Sequence, residues 1–182
     1  HQEQFNETTS NLPVLERDVV RILIEFGAWK TVYEDNEIPV AQYILEELDG
    51  LNIETPKYKY VYEFVQREFA QGNIHDEKFF TANDDEKISS VAIEILAQPY
   101  SLSENWFNKY KIVVPEKHDV FTKDIASSVM RFKQFKNISE LKKIETRIKE
   151  VKDEVELTKL MKLHKLLIEQ KKEFARTVGN VV

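Results

Sequence analysis

Two places in the 182-residue sequence set a histidine beside carboxylates: His75-Asp76-Glu77 and His118-Asp119. Imidazole and carboxylate together can hold a divalent cation or move a proton, but only when the groups converge on one point. Both places fall between the periodic segments of the chain, in expected loops, and neighbours along a loop rarely aim at a common ion. They are therefore read as loop residues, and neither a metal ligand nor a catalytic group is expected from them. His164 is a different case. It sits beside the apolar flank of a helix, where a histidine forms the polar edge of an interface and can make binding pH-dependent. The sequence carries no glycine-rich phosphate loop, no HExxH and no G-x-S-x-G, so the usual signatures of phosphoryl, zinc-hydrolase and serine-hydrolase chemistry are missing. No cofactor is expected, and the chain is read as one that binds rather than catalyses.

The elements that carry these residues are helical. Charged residues make up 32% of the chain, glycine occurs 4 times, and Leu, Ile, Glu and Lys dominate, which points to an all-α protein. With no cysteine there is neither a disulfide framework nor a thiolate site, and a reducing cytoplasm is the expected compartment. No apolar run reaches the ~18 residues of a membrane span, and no membrane partner is expected. The sequence opens at His1 without a methionine, so it is expected to be a fragment of a longer protein. Charge is unevenly spread. Residues 1–120 hold 11 Lys and Arg against 23 Asp and Glu, a net of -12, while residues 121–182 hold 15 against 9, a net of +6. A basic helical end suits an acidic protein surface or nucleic acid. Nucleic acid would call for interleaved aromatic residues, and the last stretch has only Phe174, so little or no direct nucleic-acid binding is expected.

In chain order, residues 1–12 read as a linker, polar and without periodicity. Pro13 opens a helix in the favoured first turn, Leu15, Val19, Ile22, Leu23 and Phe26 give its apolar face, and Gly27 suits its end. Ala28 to Glu37, with Trp29, Val32 and Tyr33, is expected to be a loop, since nothing nearby would pair with a strand. A second helix runs from Ile38-Pro39 through Ala41, Ile44, Leu45 and Leu48 to the turn at Asp49-Gly50. A third starts near Pro56 and stops before Gly72-Asn73. Phe79 and Phe80 anchor a polar connector. Asp84 or Asp85 caps a fourth helix that carries Ile88, Val91, Ala92, Ile95 and Leu96 and ends at Pro99. Ser103 caps a short segment bearing Trp106 and Phe107, and Val113-Val114-Pro115 is a turn or an extended link. From Phe121 or Thr122 a last helix shows Ile125, Val129, Phe132 and Phe135 on one face. No Gly or Pro interrupts Phe121 to Arg176, so this helix is expected to continue past Asn137 into the final stretch. The expected architecture is thus a helical bundle, residues 13–136, joined by a long helix to a C-terminal antiparallel helical hairpin, residues 137–182.

In that hairpin the first helix keeps a narrow seam at Leu141, Ile144, Ile148, Val151 and Val155, within roughly 80° of arc at 100° per residue. The bend is expected at Lys152 to Glu156. The second helix offers Leu160, Leu163, Leu167, Phe174 and Val178 to the seam, with Leu157, Met161 and Ile168 on one flank and Leu166 on the other, spreading apolar character over roughly 200°. One partner helix cannot cover so wide a face. Exposed contiguous apolar surface marks an interaction site, so Leu157, Met161, His164, Leu166 and Ile168 are the candidate docking residues, with Lys165, Lys172 and Arg176 steering toward an acidic surface. The same surplus would also serve a structural coiled-coil protein that self-associates through its hairpin.

The helix Glu16-Arg17-Asp18-Val19-Val20-Arg21-Ile22-Leu23-Ile24-Glu25-Phe26-Gly27 resembles the start of the C-terminal, helicase-binding domain of bacterial DNA primase. So does Tyr100-Ser101-Leu102-Ser103-Glu104-Asn105-Trp106, followed by a helix that leads into a terminal two-helix hairpin. The likeness spans about Pro13 to Val182. It implies a bundle that modulates the two enzymes and a hairpin that docks on the N-terminal domains of the hexameric replicative helicase of the DnaB type, in the bacterial cytoplasm, with the zinc-binding and RNA-polymerising parts upstream of His1. It further implies, as a second partner, the acidic tail of single-stranded DNA-binding protein, which the strong negative charge of the bundle disfavours here.

Overall fold

The computed structural model of the chain describes residues 11–97 and 117–179. Among them the protein is mostly helical, with one small two-stranded sheet: α1 (Leu12–Phe26), β1 (Lys30–Tyr33), β2 (Asn36–Pro39), α2 (Val40–Glu47), α3 (Pro56–Ala70), α4 (Glu77–Thr81), α5 (Glu86–Leu96), α6 (Lys117–Glu150) and α7 (Glu154–Gly179). The sequence segment Ser103 to Pro115, with Trp106 and Phe107, lies outside the described residues, as does Val178 as a side chain.

The helix ends follow local chemistry. Pro56 occupies the first turn of α3, where its missing N–H costs nothing, and Gly72, at φ +83°, closes that helix in the left-handed conformation open to glycine. Asp76 and Asp85 begin α4 and α5 by accepting from the backbone N–H groups of Phe79, at 3.0 Å, and Lys87, at 2.9 Å. The polar connector expected around Phe79 and Phe80 is in fact the single turn α4, which buries Phe80.

The chain divides into two compact units, Glu16–Ala126 and His1–Leu15 with Ser127–Val182. The division falls within α6, a helix that runs unbroken through it and through the 136/137 boundary read from the sequence. In the first unit the core collects Val19, Val20, Ile22, Leu23 and Phe26 of α1, Ile44 of α2, Val61 and Tyr62 of α3, and Ile88 and Val91 of α5. One buried group there is charged. Glu16 is fully enclosed and accepts from the backbone N–H of Glu54 at 2.5 Å and of Thr55 at 2.9 Å. Thr55 precedes α3 and makes no side-chain cap of its own. The carboxylate of α1 therefore satisfies orphan donors at the start of α3 and lies at the positive end of its dipole.

The segment Ala28 to Glu37, expected as a loop, is instead most of a β-hairpin. β1 and β2 pair antiparallel with Val32 opposite Glu37 and Thr31 opposite Ile38. Glu34 and Asp35 both take positive φ, +47° and +63°, the geometry of a two-residue turn whose twist matches its strands. The partner strand was hidden because Ile38-Pro39 reads as a helix start, and because the turn lacks the Asn-Gly pair that announces such hairpins. Tertiary contacts hold it: the Tyr33 hydroxyl donates to Glu47 at 2.7 Å, and the Tyr33 and Tyr43 rings meet edge to face at 5.1 Å.

Candidate docking surface on the C-terminal hairpin

The hairpin core is small. Leu141 and Ile144 of α6 and Leu167 of α7 are buried together, with Ile148, Leu160 and Ile168 packed around them. The bend falls at Val151–Asp153, overlapping only the start of the expected Lys152 to Glu156, since Glu154 to Glu156 already form the first turn of α7. Asp153 starts α7 by accepting from the Glu156 N–H at 2.6 Å, and Arg147 clips the two helices together through Glu156 at 2.8 Å. Attraction to Glu156 holds the Arg147 guanidinium above its ordinary pKa, with the hydrogen bond as the larger cause.

At the other end of the core, Asn137 is buried in α6 and donates its amide to the Leu167 carbonyl at 3.2 Å and to Gln170 at 3.3 Å. Polar groups this deep fix registry, since sliding the helices would leave them unpaired. Lys133 lies over the Phe174 ring at 6.0 Å. Asn137, within the long helix, thus holds the hairpin in phase.

That phase reassigns several side chains. Val155, expected in the seam, lies beyond the bend and is 65% exposed, and Leu163, also expected in the seam, is 42% exposed. Their seam places go to Ile168, expected on a flank, and to the edge formed by His164, whose Nε2 lies 3.4 Å from Glu145 of α6. His164 therefore faces the hairpin's own first helix. Among the other candidate docking residues, Met161 and Leu166 are 59% and 51% exposed, Leu157 is half-buried, and Lys165, Lys172 and Arg176 are exposed. At 100° per residue, Val155, Leu163 and Leu166 fall within roughly 80° of arc, and Met161 lies roughly 150° away. The candidates do not form one patch: a stripe runs along Val155, Leu163 and Leu166, and Met161 stands apart. Leu163 was missed because steps of three and four fit both 160-163-167 and 160-164-167, and Val155 because the chain turns before it. The partners on α6, buried Asn137 and exposed Glu145, were the signal that separates the two spacings.

The histidines near carboxylates also move. His75 does pair with a carboxylate, but it is Glu68 of α3, at 2.7 Å, and the imidazole stacks on Phe79 with ring centres 3.5 Å apart. The hydrogen bond from His75 is the first cause that pulls the Glu68 carboxyl below its ordinary value. Asp76 and Glu77 serve the start of α4 instead. His118 and Asp119 lie in the first turns of α6, not in a loop, and their side chains are outside the described set. Among the described residues no three His, Asp or Glu side chains gather as a metal site, and no helix is long and apolar enough to cross a membrane.

Fold and surface together define a mainly helical protein whose final helix leaves an apolar stripe uncovered. The chain belongs to the family described as Domain of unknown function (DUF8430), which matches residues 4–181. No curated protein and no solved structure matches it.

Proposed function

We propose that this chain is a docking module that acts by binding rather than by catalysis, of the kind that recruits bacterial DNA primase to the replicative helicase so that primers are made where the duplex opens. One observation carries the reading. The hairpin closes its own core with Leu141, Ile144, Leu160, Leu167 and Ile168, and still leaves Val155, Leu163 and Leu166 of α7 facing solvent along one stripe. A helix whose internal needs are met but which keeps three large apolar groups outside on one side has a use for them in a partner. The resemblance of Glu16 to Gly27 and of the terminal hairpin to the primase domain supplies the partner's identity, a hexameric helicase of the DnaB type. The basic charge of residues 121–182 supports an acidic partner surface.

The test is co-elution of the full 182-residue chain with the DnaB-type helicase of a related bacterium in size-exclusion chromatography at micromolar concentrations. Complex formation is the expected result, and separate elution refutes the reading. The exposed Leu163 and Leu166 also favour a second reading, self-association through the hairpin. Sedimentation separates the two: the docking module is a monomer at micromolar concentration, and a structural coiled-coil protein is a tight dimer.

A further inference from the structure

We infer that the stripe on α7 is built to receive an acidic amphipathic helix of a partner protein; this deepens the docking reading above and rests on it for the helicase arm of its test. Val155, Lys159, Lys162 and Leu166 follow one another by steps of four, three and four, so they form a single lane along α7, with Leu163 beside it. The lane is roughly 16 Å long at 1.5 Å per residue, three turns of a facing helix. All five residues are exposed.

The lysines give the lane its sign. Among the described residues Lys159, Lys162 and Lys165 take part in no ion pair; of the acids that flank them along α7, Glu156 is already held by Arg147, and Glu169 follows Lys165 by four. Three free ammonium groups therefore surround two leucines and a valine and outnumber the one uncommitted carboxylate beside them, that of Glu169. Lysine stems lie along apolar surface while their heads stay in water, so the lane offers a greasy floor with a positive rim. The complement is a helix with a leucine-type seam and glutamates or aspartates at its edges, as in paired coiled-coil helices. A lipid surface fits less well, because an in-plane membrane helix needs a broad uninterrupted apolar face and here lysines stand inside the lane. Duplex DNA fits less well again, since its phosphates would meet Leu163 and Leu166 at the centre of the contact.

The probe is a synthetic helix with leucine at positions a and d and glutamate at e and g, titrated calorimetrically into the full chain, with anionic phosphatidylserine vesicles, duplex DNA and the DnaB-type helicase as parallel arms. The peptide is expected to bind more tightly than vesicles or DNA. Lys159→Glu with Lys162→Glu, and separately Leu166→Ser, should each weaken it by about tenfold or more, and Met161→Ser on the far side should leave it unchanged. Because every substituted side chain is exposed, circular dichroism should show unaltered helix content. Equal binding of the peptide by wild type and stripe variants overturns the assignment, as does control by Met161. Preference for vesicles or DNA overturns the choice of partner. Helicase bound equally by wild type and stripe variants overturns the stripe and leaves the primase reading standing. Peptide bound through the stripe with no helicase binding supports the stripe and overturns the primase reading.

Discussion

Replacing Glu16 tests whether a buried carboxylate on one helix holds the start of another. Its two oxygens accept from the Glu54 and Thr55 N–H groups, and the side chain is wholly enclosed. Hydrogen bonds to a charged group contribute about 1.5–3 kcal/mol each, and orphaning a buried donor costs about 1–3 kcal/mol. Water entering the space left by Glu16→Ala would recover part of that, so a net loss of about 3 kcal/mol is expected. Glu16→Gln keeps the shape and one acceptor but turns an amide N–H₂ toward a backbone donor, and should cost about 2 kcal/mol. For a chain of this size 3 kcal/mol corresponds to a Tm lower by about 10 °C. Thermal and urea unfolding followed by circular dichroism measure it. The comparison is Glu63→Ala, whose ion pair with Lys59 at 3.7 Å is half open to solvent and should change stability by less than about 0.5 kcal/mol. If both Glu16 variants unfold within about 0.5 kcal/mol of wild type, the account of α3's start is wrong.

Gly27→Ala should destabilise the first unit, because an added Cβ would meet the Leu23 carbonyl and press toward Ala41; the loss, about 1–3 kcal/mol by urea unfolding, should exceed that of Gly50→Ala, which meets no neighbouring atom but sits at φ +74°. Leu141→Ala empties the centre of the hairpin core and should cost about 2–4 kcal/mol; amide exchange in α7 should quicken while exchange in α3 is unchanged. Acid should also report on Glu68. Its carboxyl is held below its ordinary value of 4.5 by the His75 hydrogen bond, and a depressed carboxyl contributes stability above its unfolded pKa that disappears as pH falls through the folded one. Unfolding followed between pH 6 and 3 should therefore show a loss of stability as the pH falls that is smaller in Glu68→Gln; an identical acid limb in that variant would refute the pairing.

Much of the fold was legible along the chain because its signals are local. Pro56, Gly72 and Asp85 mark helix ends through their own backbone and side-chain chemistry, within a few residues of where they act. The unbroken α6 followed from the lack of any Gly or Pro, and the bend from the charges of Lys152 to Glu156. The candidate site was legible only in part. Periodicity announced that α7 has more apolar groups than one neighbour can cover, but not which of them turn outward.

What the sequence by itself determined, then, is the set of longer helices, several of their ends and the surplus of leucine on the last one, because each depends on residues within a turn or two of one another. Tertiary structure alone decided the rest: the β-hairpin at Lys30 to Pro39, the enclosure of Glu16 beneath Thr55, the pairing of His75 with Glu68, and the rotation of α7 that shelters Ile168 and exposes Leu163. Each of these hangs on a partner that periodicity does not name. For α7 the deciding contact is Asn137, 30 residues from Leu167 in sequence and 3.2 Å from its carbonyl in space, where a rotation or slip would leave a buried amide without its acceptor.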